Sequence, residues 1–145
     1  MTLLAEDIDL LRANFAQLSP REREVAAMFY DRLFELEPSV RRLFTGDMEL
    51  QGAKLMSMLG AIVARIHDLD ALAPMVGDLA RRHVAYGVRA QHYDTLGEAL
   101  LWTLSRALGS RFTPEAETAW RRAYATLSAT MVDAAWPGAQ RQQGA

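Results

Sequence analysis

The chain has 145 residues, of which 50% are hydrophobic and 23% charged, and it carries a formal net charge of −2 and no cysteine. This length and balance indicate one globular domain, and the charge does not support a partner that is nucleic acid or an anionic membrane. The absence of cysteine excludes disulfides, thiolate ligands and cysteine nucleophiles.

Helical periodicity dominates the first third of the sequence. A first helix is predicted over residues 2–18, and Ser19-Pro20-Arg21-Glu22 has the pattern of a capping box that starts a second helix. Pro38 ends that helix and starts a short helical turn over residues 39–44. A polar loop over residues 45–47 follows, and it is very short.

The remaining segments are also helical. A long helix is predicted over residues 48–67, and a short one follows Asp68 and ends at Gly87. Another begins near Tyr93 and closes at Gly109, and Thr113 followed by proline starts the last helix. No segment alternates with the period of a strand, so the predicted fold class is all-α.

The two ends of the sequence set the domain bounds. Acidic residues stand near the N-terminus where a signal peptide needs basic ones, and no apolar run approaches the ~18 residues of a membrane span. We therefore expect a cytoplasmic protein without a membrane partner. The domain is expected over residues 1–137, and the polar segment 138–145 is expected to be a disordered tail.

One predicted helix carries an imidazole on its apolar face. The residues of that face follow at steps of three or four: Leu72, Met75, Leu79, His83 and Tyr86. A buried polar group without a partner costs roughly 2–7 kcal/mol, so His83 either hydrogen-bonds within the core or binds a metal. Taken alone, the pattern favours the core hydrogen bond.

Two further helices each place one polar side chain on an inward face, namely Tyr30 and Gln51. Either one alone is unremarkable, because buried tyrosine and glutamine usually find a partner in the protein. Three such groups on three helices, with no buried carboxylate to join them, indicate a ligand. The pattern predicts a slot with a metal ligand on one wall and hydrogen-bond donors on the other.

An ordered set of residues at characteristic spacings spans nearly the whole chain. Its members are Phe29-Tyr30 through Glu37-Pro38, Phe44, Lys54 through Ala61, Arg81 through Val88, His92-Tyr93, and Phe112 through Tyr124. This set resembles the single-domain bacterial globins of the flavohaemoglobin haem-domain lineage, which is also close to neuroglobin. The resemblance implies a globin fold, a 3-over-3 helical sandwich, and haem b as the cofactor.

The resemblance also implies a role for each matching residue. His83 matches the proximal ligand of the haem iron, with its other ring nitrogen donating to the carbonyl of Leu79. Tyr30 and Gln51 match the distal residues that stabilise a bound ligand. The other positions implied to contact haem are Phe44, which stacks on it, Leu55, which crowds the ligand, Lys54 and Arg82, which reach the propionates, Val88 and Tyr93.

Alternative interpretations remain for the charged and titratable residues. Lys54 is the only lysine in the chain, and a solvated surface position explains it nearly as well as a propionate contact. His67 lies about 24 Å along a helix from Gln51 and cannot reach the same iron. His92 is expected to be exposed, so no second histidine is expected to occupy the sixth position of the iron.

One departure from flavohaemoglobins concerns the proximal side. Those proteins pair the tyrosine that matches Tyr93 with a glutamate on the last helix. Here the matching position is Ala135, and Asp133 is expected on a different face. The resemblance therefore implies a less electron-rich iron.

The resemblance leaves several functions open. Two donors facing a polarised O2 ligand predict high affinity, because a hydrogen bond to a charged group contributes about 1.5–3 kcal/mol. The first possibility is a reversible binder of O2, NO, CO or sulfide, expected as a monomer or weak homodimer. The second is a nitric oxide dioxygenase served by a separate reductase, or a peroxidase. A sensor and a cofactor-free bundle rank below these.

Overall fold

The computed structural model describes residues 3–136, and within that range the chain forms α-helices and no strand. The helices are α1 (Ala5–Leu18), α2 (Glu22–Leu36), α3 (Met48–Arg65), α4 (Leu69–Ala85), α5 (His92–Leu108) and α6 (Pro114–Ala135). Short 3₁₀ helices cover Ser19–Arg21, Pro38–Leu43 and Gly109–Arg111. The all-α prediction is confirmed, whereas the predicted tail at 138–145 lies outside the described residues.

The described helices pack as the predicted 3-over-3 sandwich. Helix α6 contacts α1, α4 and α5, and helix α3 contacts α1, α2 and α4. The most extensive contacts join α2 to α5 and α4 to α6. Between the 3₁₀ helix Pro38–Leu43 and α3, only Phe44–Asp47 remain, so the short loop is also confirmed. None of the helices in residues 3–136 has the length and apolar character that crossing a membrane requires.

Two apolar clusters fill the space between the layers. The larger includes Leu11, Leu72 and Trp120 and therefore joins α1, α4 and α6. The smaller surrounds α2 and includes Phe29 and Leu33. Burial of apolar side chains on one face of each helix provides the main drive for this packing.

The first inter-helical connection differs from the prediction. The predicted capping box at Ser19 is wrong, because Ser19 has helical backbone angles (φ −53°, ψ −43°) and its side chain makes no capping hydrogen bond. An N-cap residue needs extended backbone, and here α1 continues through a 3₁₀ turn into α2, with Arg21 at the cap position. The matching prediction at the last helix is confirmed, since the Thr113 hydroxyl accepts from the backbone N–H of Ala116 at 3.1 Å.

Helix α4 has well-defined ends. The Asp68 side chain caps its first turn, and the helix runs from Leu69 to Ala85, between Asp68 and Gly87 as the sequence predicts. At the other end Gly87 has φ +95°, its N–H donates to the carbonyl of Val84 (3.0 Å), and the N–H of Val88 donates to the carbonyl of His83 (2.9 Å). These two bonds form a Schellman motif, which fixes the path of the chain just beyond His83.

A glycine brings α3 close to α2. A Cβ atom added at Gly52 would lie 2.9 Å from the Cβ atom of Ala26, and neither atom can rotate away. The two helices can therefore approach this closely only because residue 52 has no side chain. This approach places Gln51 beside the face of α2 that carries Tyr30.

Replacing Gly52 with valine should separate the two helices. We expect the free energy of unfolding to fall by about 1–3 kcal/mol, the usual cost of overpacking a tight contact. Chemical denaturation would measure the change. Gly46→Ala is the matched control, because a Cβ atom there would have no neighbour within 4 Å. Equal effects of the two substitutions would contradict the role assigned to Gly52.

Candidate functional site

His83 lies near the C-terminal end of α4, and its ring is partly buried. Its Nδ1 atom is 2.8 Å from the carbonyl oxygen of Leu79. A carbonyl only accepts, so Nδ1 carries the hydrogen and donates, as the sequence predicts. The Nε2 atom therefore keeps a lone pair that can bind a metal.

The surroundings of His83 keep its ring neutral. Burial lowers its pKa, the hydrogen bond to Leu79 raises it, and the charge of Arg82 lowers it further, so that the pKa lies below its ordinary value. A neutral imidazole is the form that binds metal ions. No group of three or more His, Cys, Asp or Glu side chains is placed to hold a metal within residues 3–136. A metal bound by His83 must therefore bring most of its ligands with it, as iron does in a porphyrin.

Tyr30 and Gln51 lie together, one on α2 and the other on α3. Tyr30 is buried, which raises the pKa of its hydroxyl, while the nearby side chain of Gln51 lowers it by a smaller amount. The net shift is upward, so the hydroxyl keeps its proton and remains a donor. Leu55 follows Gln51 by one turn and packs against both apolar clusters. The structure therefore brings together the three residues for which the resemblance implies a distal role.

An aromatic cluster holds Tyr30 in place. The ring of Phe44 meets the ring of Tyr30 edge-on at a centroid distance of 5.3 Å, and Phe34 lies 5.4 Å from Phe44. Phe29 adds a second edge-on contact to Tyr30 at 5.0 Å. Aromatic pairs of this kind have defined geometry, so they restrict the orientation of the Tyr30 ring. The sequence predicts Phe34 on the inward face of α2, one helical turn after Tyr30, but it did not identify this residue as part of the site.

Replacing Phe44 with alanine should leave a cavity beside Tyr30. We expect the free energy of unfolding to fall by about 3 kcal/mol and any bound haem to dissociate faster. Denaturation and transfer of haem to an acceptor protein would measure the two effects. Phe112→Ala is the matched control, since this half-buried phenylalanine packs against the larger cluster. Its loss should cost stability without the same change in haem release, and identical haem release in both variants would contradict the placement of Phe44.

Tyr93 lies on the proximal side with its ring stacked on His83, at a centroid distance of 6.4 Å and an interplanar angle of 25°. Its hydroxyl is buried without a hydrogen-bond partner in the described part of the chain, and burial raises its pKa to about 12. Asp133 is exposed, and the ring of Trp136 meets Tyr93 edge-on instead. No carboxylate among residues 3–136 therefore receives the Tyr93 hydroxyl.

The other residues predicted to contact haem lie at or near the surface of the protein. Lys54 is exposed on α3, and Arg82 is exposed and pairs with Asp78 at 3.7 Å. Val88 is half-buried against the larger cluster. The contacts predicted between these residues and haem therefore stay predictions.

The expectation that His92 is exposed is wrong, because only 13% of its side chain is accessible. Its Nδ1 atom accepts from the backbone N–H of Arg89 (2.9 Å), and its Nε2 atom lies 3.3 Å from a carboxylate oxygen of Glu37. The His92 ring therefore contacts the backbone just before α5 and the Glu37 side chain just after α2. His67 behaves as expected, since it is exposed and contacts Arg12 at the far end of α3.

Comparisons with known proteins agree with this fold. The family model described as Globin matches residues 27–131. The flavohemoprotein of Bordetella bronchiseptica is 31% identical over 126 residues, which cover 85% of this chain and 31% of that protein. The chain thus spans only about a third of the length of such relatives.

Two other similar proteins match along nearly their whole length. The neuroglobin of Tetraodon nigroviridis is 28% identical over 143 residues, which cover 89% of this chain and 90% of that protein. Among solved structures, an engineered carbene transferase, a candidate nitric oxide dioxygenase from Rhodothermus marinus, superposes with a TM-score of 0.83. It is 29% identical, and the match covers 99% of this chain and 98% of that one.

Proposed function

The chain belongs to the globin family, which implies haem binding, and from this premise we propose that it binds haem b through His83 and holds O2 tightly beside Tyr30 and Gln51. When bound, the haem would be held by His83 and would supply an iron atom able to take a small gas ligand. The protein's part is to anchor that group, to shape the space for the ligand and to direct hydrogen-bond donors into it.

The proximal residues suit this group. The hydrogen bond from Nδ1 to the Leu79 carbonyl orients the His83 ring and leaves Nε2 free to bind iron. The chain contains no cysteine, so covalent attachment of the haem through thioether bonds is excluded. Haem b, which is held without covalent bonds to the porphyrin, is therefore the form we propose.

The observation that carries the proposed O2 affinity is the buried Tyr30, whose ring is held by the rings of Phe29 and Phe44 and whose hydroxyl lies near Gln51. The Tyr30 hydroxyl is protonated and fixed by aromatic contacts, and the Gln51 amide offers a second donor. Each hydrogen bond to a charged acceptor contributes about 1.5–3 kcal/mol, and each 1.4 kcal/mol is a factor of ten in affinity. A polarised O2 ligand should therefore leave this pocket slowly.

Rapid mixing of the oxygenated protein with excess CO would measure O2 release. We expect Gln51→Leu to release O2 about tenfold faster than the wild type, because the amide donor is lost while the volume is kept. A wild-type rate in this variant would assign the stabilisation to Tyr30 alone. Wild-type rates in both Gln51→Leu and Tyr30→Phe would contradict the proposed pocket.

Nitric oxide dioxygenation is the second candidate, favoured by the flavohemoprotein and nitric oxide dioxygenase relatives. In this reaction O2, NO and one electron give nitrate, and we propose that a separate reductase supplies the electron. Tyr93 lacks a carboxylate partner among the described residues, so its hydroxyl cannot relay electron density from a carboxylate to His83. This arrangement favours ligand binding over fast turnover.

Mixing the oxygenated protein with NO distinguishes the two candidates. Stoichiometric nitrate, and continued nitrate formation when a flavin reductase and reduced nicotinamide are added, would support dioxygenation. Survival of the oxygenated protein in the presence of NO would leave reversible binding as the function.

A further inference from the structure

A cavity of about 450 Å³ lies at the corner between the end of α2 and the loop from α4 to α5. Two arginines, Arg42 and Arg89, line it from opposite sides of this corner, together with Ser39 and Gln91. The volume lies within the range of ~300–1,000 Å³ typical of small-molecule sites. We refer to this space as the corner cavity.

The two guanidinium groups at the corner cavity have no carboxylate partner within residues 3–136. The polar contact of the Arg42 side chain is to the backbone carbonyl of Ser39 at 3.3 Å, and the contact at Arg89 involves its backbone N–H. Some other arginines do have carboxylate partners, as in the pairs of Arg21 with Glu24, Arg82 with Asp78, Arg121 with Glu117 and Arg122 with Asp7, whereas Arg41 and Arg106 lie over aromatic rings. The corner cavity is therefore lined by two guanidinium groups that have no carboxylate partner within residues 3–136, and by one carboxylate, that of Glu37.

Glu37 also lines the corner cavity, but its carboxylate already has two donors. The hydroxyl of Thr95 donates to Oε1 at 2.8 Å, and Nε2 of His92 lies 3.3 Å from Oε2. Because Nδ1 of His92 accepts from the backbone N–H of Arg89, the ring proton must be on Nε2 and is donated to Glu37. These bonds tie Glu37 to α5, and they fix the loop that carries Arg89.

We propose that the corner cavity binds a small organic dianion, either a phosphate ester or a dicarboxylate. Guanidinium groups present planar pairs of N–H donors that match the oxygens of phosphate and carboxylate groups. Two of them facing one cavity suit a ligand with two or more anionic oxygens. Ser39 and Gln91 add neutral polar groups that can orient it.

The location of the corner cavity connects it to both sides of the candidate haem site. Leu43 lines the cavity and directly precedes Phe44, while Gly87 lines it and follows the end of the helix that carries His83. These two walls touch, since a Cβ atom at Gly87 would lie 3.0 Å from a methyl group of Leu43. A bound dianion would bridge them and alter O2 release. This second effect rests on the proposed function, whereas the dianion site itself does not.

Isothermal titration of the haem-loaded CO form with glycerol phosphate, and separately with succinate, at constant ionic strength tests the proposal. We expect saturable binding of at least one probe at a single site. Arg42→Gln and Arg89→Gln should each weaken it about tenfold or more, and Arg42→Lys should weaken it less. Arg111→Gln is the matched control, because this exposed arginine lies outside the cavity. Thermal melting would verify that each variant is folded.

Several results would overturn the dianion site. One is the absence of saturable binding of both probes. Another is an equal loss of binding in Arg111→Gln, which would indicate general electrostatic attraction. A third is faster haem loss in Arg42→Gln and Arg89→Gln without probe binding to the wild type, which would assign the guanidiniums to the haem propionates. Saturable binding with an unchanged O2 release rate would support the site and overturn the coupling. If the protein took no haem, the same titration on the colourless protein would still test the site.

Discussion

Replacing His83 with alanine should reduce haem affinity by at least about a hundredfold, because the loss of a metal ligand exceeds the 10–100-fold effect of losing a supporting group. His83 is the residue whose Nε2 lone pair remains free after Nδ1 donates to Leu79. Absorbance titration with hemin and the rate of haem transfer to an acceptor protein would measure the change. The fold should persist, since the ring is only partly buried.

Two further measurements separate ligation from a structural role of His83. Added imidazole should restore haem retention in His83→Ala by occupying the space of the ring, whereas a purely structural defect would not respond. His67→Ala is the matched control, because His67 is exposed and contacts Arg12. Normal haem retention in His83→Ala without imidazole would show that another residue binds the iron.

Removing the Tyr30 hydroxyl should accelerate O2 release about tenfold or more, since one hydrogen bond to a polarised ligand is lost. Tyr30→Phe keeps the ring and its edge-on contacts with Phe29 and Phe44. The variant therefore tests the donor and leaves the packing intact. Displacement of O2 by CO in a stopped-flow instrument would measure the rate.

Tyr86→Phe is the matched control for this substitution. Tyr86 is 57% exposed at the end of α4, although its ring lies 6.4 Å from that of His83. Its hydroxyl should not affect the gas ligand, so we expect the wild-type rate. An unchanged rate in Tyr30→Phe as well would assign the donor role to Gln51.

The helices and the central residues of the site could be predicted because local chemistry determines them. The spacing of apolar residues along the sequence predicts the helices. Gly87 was predicted to end α4, and it does so because the Schellman motif needs a residue that tolerates positive φ. The hydrogen bond from His83 to the Leu79 carbonyl also follows from helical geometry, since residues four apart lie on one face.

The features that could not be predicted depend on contacts between distant segments. The burial of His92 follows from Glu37, which lies 55 residues earlier and reaches it only when α2 and α5 pack together. Ser19 resembled an N-cap because its sequence pattern fits one, but its backbone angles are helical and its N–H donates to the carbonyl of Phe15. The unpaired arginines of the corner cavity likewise become visible only when Arg42 and Arg89 are brought to one space.

The placement of Gln51 near Tyr30 depends both on local sequence pattern and on a contact between distant segments. The sequence placed both residues on inward faces, but it did not reveal that Gly52 permits the close crossing of α2 and α3 that joins them. The sequence alone therefore predicted that both side chains face inward. The distance between α2 and α3, in contrast, depends on the contact between residues 26 and 52.

The most direct test is a titration of haem-free protein with hemin, followed by absorbance. We expect saturation at one equivalent and an intense Soret band, with a ferrous form that takes up O2 and CO. A protein that melts cooperatively yet remains colourless at excess hemin would contradict it.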